Sequence, residues 1–100
     1  MPIIVHHENI TGTASSGTFS VNTGNLRFGI LREVIVKPVS EATIYDVSLT
    51  NDKSLINFQR KSQTGSIGIE VALPVRGIYT FKIESASADE VFTAQLVLEE

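Results

Sequence analysis

Cysteine and tryptophan are both missing from this chain, and methionine occurs once. Without cysteine there is no disulfide and no thiolate metal ligand, so 100 residues must hold their fold by packing and hydrogen bonding alone. Charge is scarce as well: Lys, Arg, Asp and Glu supply 19% of the residues, against roughly 25% in ordinary soluble domains. Eight basic and eleven acidic residues leave a net charge of -3. With no basic excess and no Lys/Arg stripe, phosphate-backbone binding lacks its main electrostatic term, and nucleic acid is not an expected partner. No apolar run approaches the roughly 20 residues that span a bilayer, so no membrane partner is expected. The start, MPIIVHHEN, lacks the basic segment and long apolar core of a signal peptide, and export by that route is not expected.

No stretch keeps a sustained 3.6-residue apolar period. Alternation of period two takes its place, the signature of strands with one buried face. It is clearest in Ser66–Phe81, where Ile67, Ile69, Val71 and Leu73 alternate with small or polar residues, and Tyr79, Phe81 and Ile83 do the same after Leu73-Pro74-Val75-Arg76-Gly77. Proline followed by glycine predicts a sharp turn there, with the two runs as a central pair. Thr18–Asn22 and Thr43–Thr50 add strands, the latter with Tyr45, Val47 and Leu49 inward. Leu55–Arg60 puts Ile56 and Phe58 on one side, and Val91–Leu98 puts Phe92, Ala94, Leu96 and Leu98 on one face.

Leu26–Pro38 is the longest run. Leu26, Phe28, Ile30, Val34 and Val36 share a parity that only Arg32 breaks. Either the strand bends or bulges at Arg32, or the guanidinium meets a polar partner; the cost of burying a lone Arg favours the bend. Seven to eight short strands at roughly 8 to 12-residue spacing predict an all-β fold, an antiparallel β-sandwich of immunoglobulin-like or jelly-roll type. Residues 1–100 read as a single domain. Residues 2–8, opened by Pro2, read as a short extended piece that suits a first or edge strand or else an arm, and Asn9–Gly17 as a Ser/Thr/Gly-rich connector, so 1–16 are open to reading as an N-terminal arm and flexible connector.

Residues with catalytic or ligand chemistry do not form a recognisable set. His6 and His7 are strand neighbours that point to opposite faces, so they do not chelate one ion within a chain. Asp52 and Asp89-Glu90 lie in turns without calcium-loop spacing. Asn9-Ile10-Thr11 matches the glycosylation tripeptide, a pattern that chance produces often. No catalytic residue, metal site or cofactor is expected, and the chain is expected not to be an enzyme. Sugar-binding sandwiches offer exposed Trp or Tyr, whereas Tyr45 and Tyr79 both fall on inward parity.

Leu73–Phe81 resembles the Gly-x-Tyr turn-into-strand of immunoglobulin-like sandwiches, in which a tyrosine hydroxyl ties to an upstream backbone group. More widely, a Gly-Thr-Phe strand, a run ending Val-Ile-Val-Lys-Pro, Tyr45-Asp46-Val47, Pro-x-x-Gly-x-Tyr and Asp89-Glu90-Val91-Phe92-Thr93 resemble the small β-sandwich virion proteins of tailed bacteriophages. That resemblance implies a non-enzymatic capsid decoration or tail-associated protein in the virion, a homo-oligomer that binds itself and a major capsid or tail protein. The alternative is a carbohydrate or cell-surface binding module working through loops such as Asp89-Glu90. For self-assembly the expected contacts are Ile3, Ile4 and Val5 on the arm, and Leu31 and Ile35, whose parity in the long run leaves aliphatic surface that either the bend near Arg32 buries within the chain or another subunit covers, the low charge fraction favouring the subunit.

Overall fold

In a computed structural model, residues 5–99 are described, except for the side chains of Arg27 and Phe28. Eight strands follow one another: β1 (Val5–Ala14), β2 (Phe19–Asn22), β3 (Leu26–Pro38), β4 (Ile44–Thr50), β5 (Ile56–Thr64), β6 (Ile67–Gly77), β7 (Thr80–Glu84) and β8 (Glu90–Glu99), with one 3-10 turn, Ser15–Gly17, between β1 and β2. They form two four-stranded sheets of order β1-β8-β3-β6 and β2-β7-β4-β5, in which every pairing is antiparallel. First pairs with last, second with seventh, third with sixth and fourth with fifth, the pattern of one long hairpin rolled into a sandwich. The fold is therefore the jelly roll of the two expected architectures.

The alternation read from sequence sets the inner faces. Tyr45, Val47 and Leu49 of β4, Phe81 and Ile83 of β7, and Phe92, Ala94, Leu96 and Leu98 of β8 are all buried in one core. Phe92 joins the sheets: its ring lies 5.0 Å from that of Tyr45, edge-on, and 6.0 Å from that of Phe19. Phe19 in turn closes over Gly12, where an added Cβ would stand 2.7 Å from the ring, so β1 needs a residue without a side chain at that crossing.

Arg32 marks a bulge. Both the β3–β6 and the β3–β8 registers shift between Leu31 and Glu33, the inward parity changes there, and the guanidinium turns out to the Glu99 carboxylate through bonds of 3.0 and 3.2 Å. Before the shift Leu31 points inward; after it Val34 and Val36 do.

Three expectations are corrected. The runs around Pro74 are not a pair, because β6 and β7 belong to different sheets. Pro74 does not turn the chain: it lies within β6 opposite Ile30, on an edge strand where a missing N–H costs no ladder bond. The turn comes at Gly77, whose φ of 95° suits glycine. There the Tyr79 hydroxyl accepts from the Arg76 N–H at 3.1 Å, the upstream tie implied by the resemblance, while Thr23 exchanges bonds with the Tyr79 backbone.

The second correction concerns residues 9–14, read as connector. They are the second half of β1, matched residue for residue to β8 from Asn9↔Gln95 to Ala14↔Glu90, with Ile10 and Ala14 buried. Asn9, Gly12 and Ala14 have weak strand propensity, and the β8 ladder, with the β-branched Ile10, Thr11 and Thr13 between them, overrides it. The described part of the N-terminal arm is thus an edge strand of its own sheet. Third, Ile56 is 58% exposed although Phe58 is buried, since the β4–β5 register slips between Leu49 and Thr50 and undoes their shared parity.

Candidate functional site

The five residues expected at an interface do not converge. Ile3 and Ile4 lie outside the described residues. Val5 opens β1 opposite Glu99 and is 53% exposed. Ile35 is half-buried on the outer face of its sheet, level with Gly68 and Gln95. Leu31 is fully buried in its own chain, which corrects its assignment to a subunit contact: the bulge at Arg32 rotates it inward against Leu73 and Leu98. The structure separates the pair by experiment. Leu31→Thr should lower stability by about 2 to 3 kcal/mol through lost packing and a buried hydroxyl, whereas Ile35→Thr should cost under about 1 kcal/mol. Equal melting temperatures for the two variants would contradict this placement of the bulge.

Acidic residues at one end of the sandwich tie loops together. The Glu41 carboxylate accepts from the Ser66 N–H at 3.0 Å and the Ser66 hydroxyl at 2.6 Å, and these bonds hold it below the usual carboxylate range. Glu90 accepts from the Ser40 N–H at 2.7 Å, so it is committed to the β3–β4 loop. Beneath them the Tyr45 hydroxyl donates to the Gly65 carbonyl at 2.7 Å; burial, with Glu41 nearby, pushes that phenol up to about 12. Gly65 has φ 66°, and a Cβ there would meet the Glu41 carbonyl oxygen at 2.6 Å. These contacts stabilise the loops and bring no acid–base pair to a common point.

His6 and His7 are both exposed and sit on opposite faces of β1, His7 level with Val97 and His6 with Leu98. Among the described residues, no three His, Cys, Asp or Glu side chains gather as they would around a metal ion. Both tyrosines are buried, so neither offers a ring for a sugar to stack on.

The surface that stands out is the outer face of β1 and β8. Its rows are His7, Asn9, Thr11 and Thr13 on one strand, and Val97, Gln95, Thr93 and Val91 on the other, directly opposite. No carboxylate, Lys or Arg interrupts them. Gln95 donates to the Asn9 side chain at 2.9 Å across the pair. At the far end the Val39 N–H bonds the Val91 carbonyl, continuing the β3–β8 ladder, and Val39 is 78% exposed. Sequence reasoning missed this face because it treated residues 9–17 as loop. The odd positions of 5–13 and 91–97 nonetheless carry the signal, since none holds Lys, Arg, Asp or Glu.

No helix is long and apolar enough to cross a membrane among the described residues. No protein-family model matches the chain, and no curated protein matches it. Among solved structures, one of infectious bursal disease virus, Gx strain, aligns with 99% of this chain at 9% identity and a TM-score of 0.44; the chain spans 32% of that one's length. A structure of the Drosophila NLP core, described as giving insight into pentamer formation and histone binding, aligns with 91% of this chain and 96% of its own at 14% identity and a TM-score of 0.48. At such scores these likenesses carry no argument about function.

Proposed function

We propose that this chain is a non-enzymatic structural protein of a virion, a capsid decoration or tail-associated component that assembles with its own copies and seats on a particle surface. The observation that carries the self-assembly is the stretch of the outer face of β1 and β8 from His7–Thr13 to Val91–Val97, which holds no Lys, Arg, Asp or Glu, is bordered by Val39 at one end and stops at the Arg32–Glu99 ion pair at the other. Covering it with another protein desolvates threonines, amides and valines and strands no carboxylate or ammonium, so its burial avoids the largest cost of forming an interface. The viral setting is supported by the resemblance to small phage virion sandwiches, whose quoted segments lie in β2, β3, β4, β6–β7 and β8.

Native mass spectrometry and light scattering of the purified chain test the assembly: a mass of two or more chains is expected, and a monomer at every soluble concentration would overturn it. The virion setting is tested by proteomics of purified particles from the source. The chain should be present at fixed stoichiometry, and its absence from particles would overturn that setting.

A further inference from the structure

We infer that the free edge of β1 is a self-pairing interface, at which two copies lay their β1 strands antiparallel about a two-fold axis and join two sheets into one. This rests on the self-assembly proposed above and adds a second contact to it, at the strand edge that borders the uncharged stretch of the outer face.

The sandwich has four sheet edges: β1 and β6 on one sheet, β2 and β5 on the other. An unpaired edge presents a row of N–H and C=O groups to any passing strand, and proteins blunt such edges by shortness, proline, lysine or bulges. Three of the four carry these devices. β2 is four residues long. β6 contains Pro74, and its register against β3 shifts twice. β5 carries Arg60 and Lys61 and shifts twice against β4. β1 has none of them: it runs ten residues in unbroken register with β8 and contains no Pro, Lys or Arg. Its one carboxylate, Glu8, shares parity with buried Ile10 and accepts from the Gly24 N–H at 3.2 Å at the exposed rim, so it is engaged by the β2–β3 turn and not set across the edge.

Only an extended strand matches that row of backbone groups, and β1 complements itself. Side chains on one face stay together in a symmetric antiparallel pair when the axis passes at a residue. With the axis at Asn9, Glu8 faces Ile10 of the other copy; with the axis at Ile10, it faces Gly12. Neither arrangement sets like charges opposite each other, and both continue the threonine and asparagine row across the axis, where such pairs favour pairing. A two-fold contact of this kind closes on itself, so it gives a discrete dimer and not a fibre.

The absence of cysteine makes the contact readable. Asn9→Cys, Thr11→Cys and, on β5, Lys61→Cys each alter an exposed position, and retained melting temperatures would show that the variants fold. On mild oxidation, Asn9→Cys alone should form a disulfide dimer if the axis is at Asn9, and an equal mixture of Asn9→Cys with Thr11→Cys should form a mixed one if it is at Ile10. Facing strands bring Cα atoms within the span that a disulfide bridges. Lys61→Cys should remain uncrosslinked. Independently, the Thr11→Lys, Thr13→Lys double variant should lose the dimer contact and fall in mass. If the parent assembles but neither cysteine arrangement crosslinks, or the double-lysine variant keeps the parent's mass, edge pairing is overturned while self-assembly stands. A monomeric parent overturns both.

Discussion

Phe92→Ala is expected to lower stability by about 3 to 5 kcal/mol, the range for removing a buried phenylalanine ring. The ring belongs to one sheet and touches Tyr45 and Phe19 of the other, so its loss opens a void at the junction that neither neighbour can easily fill. Tyr45 is held by its bond to the Gly65 carbonyl, and Phe19 by its seat over Gly12. The transfer and cavity terms therefore both apply, with little relaxation to soften them. Against a total stability of about 5 to 15 kcal/mol for a domain of ordinary size, the variant should melt at least about 12 °C below the parent. Thermal denaturation followed by circular dichroism reads this directly, and a fall of under about 5 °C would mean that Phe92 does not join the sheets.

Removing residues 1–10 should have an effect of similar or greater size. An arm that serves assembly more than its own fold would leave the melt intact, and the structure makes residues 5–10 part of an edge strand instead. Val5 to Ile10 form six of the ten β1–β8 register pairs, Ile10 contributes to the core, and Glu8 holds the β2–β3 turn at Gly24. Deletion strips the ladder partner from half of β8 and uncovers the inner face beside Leu96 and Leu98. A shortened chain is expected to lose its cooperative melt and its near-ultraviolet dichroism. A sharp transition within a few degrees of the parent would restore the arm and place the weight of the fold in the other seven strands.

What the sequence determines by itself is local. Alternation states which side of each strand is apolar, because successive side chains leave a strand in opposite directions whatever its partner. The inner faces of β4, β7 and β8 were legible for that reason. The bulge at Arg32 was legible too, since a guanidinium interrupts an otherwise apolar row and burying it alone would be costly, whereas which parity turns inward before the bulge was not. The tertiary structure alone decides which strands meet. Ser66–Glu84 reads as two strands about a turn, and its Ile67, Ile69, Phe81 and Ile83 do face inward; yet the runs belong to opposite sheets, because their ladder partners, β3 on one side and β2 and β4 on the other, lie far away in the chain. Leu31 is buried because a bulge upstream of Val34 turns it, and Thr11 and Thr13 are strand because β8 offers them a ladder; neither cause is contained in those residues. The candidate interface follows the same rule: an uncharged row can be read from the odd positions of two segments, but only their pairing across seventy-five or more intervening residues makes it one face and leaves β1 at the edge of the sheet.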